Sequence, residues 1–493
     1  MLSKKQTKKK SSENLFSNIL KKSANKPLDL FLSNSLIRKN IIKSVDKKIY
    51  KSILADKNYP LQVQKDKYYM AKSIMLAINS AFKKAKNAPQ VRKALINSLV
   101  GDIFFRKNKD IKNFQKKFNR KPPLFLTIAP GKFCNLKCTG CYANCSSANS
   151  EKLSWETLTK IIQEKTKLWG SYFTVITGGE PFLYKNEGKT IIDLAKKFNN
   201  NYFLVYTNGT LINKEMAKKL AEVGNITPAI SVEGFEKETD ERRGKGVHKK
   251  IIEAMKNLKE VGVPFGISIT ATKNNSDLVV SDEMVDYYFK KHGASYGWIF
   301  QLMPIGRVNS LDLMVTPKQR IRMFKKTKKI VKDYKIFIAD FWNSGCISNG
   351  CISAGRSGGG YLYIDWNGNV TPCVFNPYSP INIKDIYKKG GTLNDVLDAP
   401  FFKSIRQWQK DYALDKKPNE MGNWIIPCAI KDHYKMMKKL LNKYHPNPID
   451  EPAKIALKDI EYQKGLEKYG EGVAIETNPI WKKDYTGNGG EKL

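Results

Sequence analysis

From Lys121-Pro122-Pro123 onward, short apolar runs alternate with longer stretches whose apolar residues recur every three or four positions. The runs Leu124–Ile128, Tyr172–Thr177, Tyr202–Tyr206, Ile226–Ser231, Phe265–Ala271 and Trp298–Leu302 read as strands. Ser154–Leu168, Thr190–Phe198, Asn213–Val223, His248–Val261, Asp282–His292 and Pro317–Tyr334 read as the helices that follow them. Six successive strand–helix units predict an α/β fold with a parallel sheet and helices outside. Six are too few for a closed eight-fold barrel and suit an open, partial (βα)6 barrel. Functional residues are then expected at the C-terminal ends of the strands.

The flanks have other rhythms. Ile41, Ile42, Val45, Ile49 and Ile53, then Ile74, Ile78 and Phe82, then Val91, Leu95, Leu99 and Ile103 repeat at helical spacing with Lys between them. They predict basic amphipathic helices. Residues 1–12 are mostly Lys and Ser, a composition expected to be disordered. A Gly- and Cys-rich stretch runs from Cys346 to Cys373, and within it Tyr361–Asp365, Trp366-Asn367-Gly368-Asn369 and Val370 onward predict a β-hairpin. Beyond Cys428 the pattern is helical and Pro-interrupted, and the Gly489-Gly490 tail is expected to fray. The chain divides accordingly into a helical region 1–120, a partial barrel 121–335, a small α+β unit 336–440 and a helical tail 441–493.

Charge changes the picture at the N-terminus. The chain carries a formal charge of +40, and residues 1–120 hold 30 Lys and Arg against 7 Asp and Glu, more than half of the excess. Such a region is drawn to anionic surfaces, membrane or nucleic acid, although a lysine-rich solvated face would look the same. An apolar helix face flanked by Lys also suits a lipid headgroup layer. No apolar run approaches the roughly 20 residues that cross a bilayer, and no secretory signal is evident at Met1-Leu2-Ser3-Lys4-Lys5. The expectation is a cytoplasmic protein, with peripheral contact at the inner face of a membrane as an option.

The densest chemistry is Cys134-Asn-Leu-Lys-Cys138-Thr-Gly-Cys141-Tyr142, just after the first strand. Clustered cysteines in a reducing compartment point to metal ligation. Three thiolates in a tight loop can hold three irons of a four-iron cube and leave the fourth open. The alternative is a zinc site, which needs a fourth ligand such as Cys145 or a His, and no His lies nearby. With this spacing and aromatic residue the chain resembles the radical S-adenosylmethionine superfamily over about residues 121–310. The resemblance implies a 4Fe-4S cluster on Cys134, Cys138 and Cys141 that binds S-adenosylmethionine at the open iron. It implies cleavage of that cofactor to methionine and a 5′-deoxyadenosyl radical.

Further likenesses fall at successive strand ends. Gly178-Gly179-Glu180-Pro181 resembles the family's GGEP element, in which the glycines allow close approach and Glu180 would meet the cofactor ammonium. Thr207-Asn208-Gly209 resembles its TNG element. Ser231-Val232-Glu233-Gly234 is similar to S-x-D-G with Glu replacing Asp, so Ser231 and Glu233 would face the ribose or methionine moiety. Arg243-Gly244-Lys245-Gly246 resembles R-G-x-G, implying a carboxylate partner in Arg243, or in its neighbour Arg242. Gln301-Leu302-Met303-Pro304 is similar to an adenine-packing segment, and Met303 is equally read as core. With Tyr142, these give the expected cofactor-binding residues.

Cys351 and Asp365-Trp366-Asn367-Gly368-Asn369-Val370-Thr371-Pro372-Cys373 resemble the opening of the SPASM or twitch extension, with a first gap of 16 residues that is slightly long. Cys346, Cys351, Cys373 and Cys428 would together ligate one auxiliary 4Fe-4S cluster. Buried structural thiols are the alternative. Cys145 is left over as a ligand, a hydrogen donor or a bystander.

The expected activity is hydrogen abstraction from a peptide, lipid or other small molecule, with ferredoxin or flavodoxin as the reducing partner. No catalytic acid, base or hydrogen donor is assigned. An alternative from another class is a nucleic-acid-binding protein with a structural metal. It leaves the GGEP and TNG elements unexplained, and the basic region lacks interleaved aromatics for base stacking.

Overall fold

A computed structural model describes residues 35–97, 109–308 and 310–487. The expectations for residues 1–12, Leu99, Ile103 and the Gly489-Gly490 tail lie outside them.

The apolar runs form β1 (Phe125–Ile128), β2 (Phe173–Ile176), β3 (Tyr202–Thr207), β4 (Ile226–Val232), β5 (Gly266–Ala271) and β6 (Gly297–Gln301). They lie parallel in sequence order, and each is followed on the outside by helix. Helix boundaries follow local chemistry. Trp155–Trp169 starts on the Ser154 hydroxyl, which accepts the Thr157 N–H, and stops at left-handed Gly170. Lys214–Val223 starts on Asn213 and ends at Gly224 in the same way. The helices beginning at Asp282 and Pro317 finish in wider π-helical turns, Val285–Lys291 and Ile330–Tyr334.

Three features depart from the periodicity. A seventh parallel strand, β7 (Ile338–Asp340), continues the sheet beyond β6. The Glu236–Arg243 segment, so polar that no periodicity marks it, is a helix. The hairpin of β8 (Tyr361–Ile364) and β9 (Asn369–Thr371), expected within a separate small unit, is built onto the barrel: β8 pairs in parallel with β1. The resulting ten-stranded sheet stays open, with β7 at one end and Ile381–Asn382 at the other.

The basic N-terminal helices are α1 (Ser35–Leu54) and α2 (Leu61–Lys84). The apolar residues of α1 are half-buried against α2, and Tyr50 stacks edge-on with Tyr68. α2 buries Met70 and Phe82 in the main core. Its Lys84 ammonium donates to Ser295 Oγ at 2.9 Å, just ahead of β6. Two helix-ending glycines mark the joint. A Cβ on Gly224 would fall 2.5 Å from Gln90 O, and one on Gly262 would fall 2.9 Å from Lys84 O. Among the described residues no helix is long and apolar enough to cross a membrane.

Candidate active site

The loop between β1 and its helix carries Cys134, Cys138 and Cys141, and three neighbours hold it. The turn after β2 donates Gly179 N–H to Gly131 O and Glu180 N–H to Phe133 O, both at 2.9 Å. A Cβ on Gly179 would lie 2.0 Å from Phe133 O. The glycines of this turn are therefore required by the cysteine loop itself. From the other side, Arg307 donates its backbone N–H to Cys141 O at 3.0 Å and its guanidinium to the carbonyls of Cys138 and Cys145. Gly306 ahead of it leaves no room for a Cβ, which would meet Tyr142 O at 2.3 Å. Third, Thr139 N–H donates to Arg242 O at 3.0 Å, and Arg242 Nη2 to Gly140 O at 3.3 Å.

All three cysteines open into one cavity of about 780 Å³, as do Tyr142, Gly178, Gly179, Asn208, Ser231, Arg243 and Met303. That volume is within the range of small-molecule and cofactor sites. Tyr142 is fixed by a 2.8 Å hydrogen bond to Thr177 Oγ1 at the end of β2. The remaining strand-end residues stand behind the wall. Glu180 is buried and accepts from Thr207 Oγ1 (2.7 Å), Asn208 N–H (2.8 Å) and Phe182 N–H (3.2 Å), so it ties β2 to β3. Pro181 opens the short turn it caps. Glu233 is buried beneath both arginines, accepting from Arg242 Nη1 at 2.6 Å and Arg243 Nε at 2.8 Å. Both candidate arginines thus share one carboxylate, leaving a net positive charge on the cavity wall.

The donor set suits an iron–sulfur cluster. The thiols are met by groups that hydrogen-bond or neutralise thiolates: Leu136 N–H at 3.5 Å and Asn208 Nδ2 at 4.0 Å from Cys134 Sγ, and Arg243 Nη1 at 3.9 Å from Cys138 Sγ. Burial pushes the bare Cys134 thiol up to about 12, so ligation would displace its proton. The Cys145 thiol, hydrogen-bonded to Cys141, holds that group down to about 5. Among the described residues no group of three or more His, Cys, Asp and Glu converges to the spacing of a single bound ion. Thiolates on separate irons of a cube stand further apart than ligands of one ion.

A second trio, Cys351, Cys373 and Cys428, lines the same cavity. Ala354 N–H to Pro372 O at 2.8 Å ties the first two segments together. Asp432, itself gripped by buried Arg320, accepts the Cys428 N–H at 3.0 Å. Cys346, grouped with this trio in the sequence reading, stands apart. The chain reverses through left-handed Asn349, and Cys346 is buried instead among Trp424, Trp481 and Tyr485. Sequence reasoning also missed Arg307 and Arg356, which act through backbone carbonyls and so leave no signature.

Comparison with known proteins gives two family matches. The Radical SAM superfamily matches residues 128–280, and SPASM, an iron–sulfur cluster-binding domain, matches 351–420. Among relatives, the sporulation killing factor maturation protein SkfB of Bacillus subtilis is 28% identical over 51% of this chain and 60% of its own length. An uncharacterized protein of Methanocaldococcus jannaschii, MJ0907, is 30% identical over 42% of this chain and 70% of its own. The mycofactocin maturase MftC of Mycolicibacterium smegmatis is 28% identical over 58% of this chain and 73% of its own. The chain thus spans less than two thirds of SkfB.

Proposed function

Because this chain belongs to the radical SAM superfamily and carries a SPASM iron–sulfur cluster-binding domain, we propose that it reductively cleaves S-adenosylmethionine and uses the resulting 5′-deoxyadenosyl radical to abstract hydrogen from an organic substrate. The observation that carries this reading is the convergence of the C-x3-C-x2-C loop and the ends of β2, β3 and β4 on one cavity. Cys134, Cys138 and Cys141 would hold a 4Fe-4S cluster, which would supply the electron for carbon–sulfur cleavage. The chain's own residues hold and shape the site. Arg242 and Arg243 present positive charge to a carboxylate, and Ser231 offers a hydroxyl. Leu302 and Met303 supply an apolar wall that fits adenine. Cys351, Cys373 and Cys428 would ligate one auxiliary cluster.

Two of the relatives are named as maturation enzymes, which supports modification of another molecule as the outcome. The reductant would be a ferredoxin- or flavodoxin-type partner. Docking of α1 and α2 on an anionic membrane belongs to the proposal only in a limited form, since the apolar face of α1 is half covered by α2.

The test is anaerobic reconstitution with iron and sulfide, reduction, and incubation with S-adenosylmethionine. Release of 5′-deoxyadenosine is expected, and its loss in Cys134→Ala, Cys138→Ala and Cys141→Ala. A reconstituted protein without a cluster signal in its electron paramagnetic resonance spectrum, and without that product, would overturn the assignment.

A further inference from the structure

The cavity has a second end. Leu124 (52% exposed), Ser357 and Gly358 line it and face solvent at the N-terminal end of the strands, opposite the first cysteine trio. Along β2 and the residue that follows it, Phe173, Val175 and Thr177 all line it, a run of about 13 Å at ~3.3 Å per residue. The barrel interior here is a chamber, where a closed barrel of this kind would be filled by side chains.

The composition of that chamber is selective. Its walls are aromatic: Phe125, Phe173, Trp298 and Phe337 toward the N-terminal ends of the strands, and Phe300 and Phe341 toward the C-terminal ends. Among the described residues, the charged side chains lining it are Arg242, Arg243 and Arg356, with no Asp, Glu or Lys. Arg242 and Arg243 share Glu233. Arg356, at the solvent end, has no carboxylate partner among the described residues. Its guanidinium donates to the carbonyls of Asn349 (2.6 Å), Cys351 (3.0 Å) and Ser348 (2.5 Å). The chain then runs through Ser357-Gly358-Gly359. Gly359 N–H has no protein acceptor among the described residues, and a Cβ there would come within 2.8 Å of Arg356 Nη2.

A second cation, Lys67, stands against Tyr59, which lines the cavity, without lining it itself. Lys67 Nζ lies 3.3 Å over the Tyr59 ring, without a carboxylate at ion-pair distance among the described residues. Tyr59 OH accepts from Asn349 Nδ2 at 3.3 Å, and the buried Asn349 Oδ1 has no partner. A guanidinium and an unused backbone amide at one mouth, with an ammonium behind the Tyr59 ring, are the elements of a carboxylate or phosphate site.

We propose that the substrate is an anionic amphiphile, its carboxylate or phosphate head held by Arg356 and the Gly359 amide, with Lys67 adding positive charge from against the Tyr59 ring, and its hydrocarbon chain threaded up the aromatic chamber toward Cys134, Cys138 and Cys141. This rests on the reading of the cavity as a radical SAM site and names the substrate class for it. Polar groups line the chamber as well: the hydroxyls of Thr127, Tyr206, Ser231, Ser268 and Thr270, and the indole N–H of Trp298, which is buried without a partner among the described residues. A peptide, whose backbone groups must be paired when buried, is therefore the competing occupant that the experiment sets against the amphiphile.

The experiment is binding of hexadecanoate, hexadecyl phosphate and hexadecanol to the intact protein. It is read by quenching of tryptophan fluorescence by a brominated hexadecanoate and by its displacement, since Trp298 and Trp342 line the chamber. Both anionic chains should bind at least about tenfold more tightly than the alcohol. Arg356→Gln should abolish that preference. Lys67→Gln, which disturbs none of the carbonyls Arg356 holds, should reduce it. Ala339→Trp should block all three ligands. Displacement by phosphatidylglycerol vesicles would assign the head to a membrane lipid, and displacement by free hexadecanoate alone would assign it to a free acid. Equal binding of the alcohol, an unchanged preference in Lys67→Gln, or displacement by an apolar peptide but not by lipids would overturn the proposal. Formation of 5′-deoxyadenosine in the same samples reports separately on the radical SAM assignment, so either reading can fail alone.

Discussion

Cys346 and Cys351 are five residues apart, yet their thiols face different surroundings. Cys351 opens to the cavity beside Cys373 and Cys428, and Cys346 is enclosed by Trp424, Trp481 and Tyr485. Cys428→Ala is therefore expected to lower iron bound after reconstitution, while Cys346→Ala leaves it unchanged; iron and sulfide analysis of the two variants checks this. Glu180 gives a different kind of prediction. Burial, outweighing its hydrogen bonds from Asn208, Thr207 and Phe182, lifts its carboxyl from 4.5 to about 7. Between those values the folded protein holds a proton that the unfolded chain has released, so this group makes stability fall as pH rises through the window. The full effect is ~3 kcal/mol at ~1.4 kcal/mol per pH unit. Urea unfolding of the cluster-free protein at pH values on either side should show that slope, and Glu180→Gln should flatten it.

At the scale of elements, the cysteine loop depends on what is packed around it. Gly306→Ala would drive a Cβ into Tyr142 O from a left-handed backbone with φ +71°. Arg307→Met would free the carbonyls of Cys138 and Cys145. Both should depress iron incorporation and the cluster signal while the far-ultraviolet circular dichroism stays native. Asp432 does comparable service for Cys428, and it is buried with Arg320. Removing one partner of a buried pair costs about 3–5 kcal/mol, so Asp432→Ala should lower the denaturant midpoint by a corresponding amount. The strands and helices of the barrel were legible because their apolar runs and cap residues, Ser154 and Asn213 among them, are local. β7 was not, since three residues carry too little periodicity. The partner of β8 was not, since Tyr361 pairs with Phe125 across 236 positions.

At the scale of the whole molecule, the N-terminal helices are part of the core. α2 buries Met70 and Phe82 against the barrel, and Asp66 is held by Lys328 at 3.0 Å, from the helix after β6, and by Tyr485 Oη at 2.6 Å, from the C-terminal region. Phe82→Ala should cost about 3–5 kcal/mol. Hydrogen exchange should show α2 opening together with β6, in one cooperative unfolding, and not as a detachable arm. What the chain determines by itself is what short-range physics can carry: the alternation of strands and helices, the caps, and three thiols within eight residues on one loop. Tertiary structure alone decided which cysteines share a space, which face of α1 is covered, and that the barrel encloses an aromatic chamber with a cationic mouth. Those outcomes depend on packing between residues tens to hundreds of positions apart, and no local pattern encodes such distances.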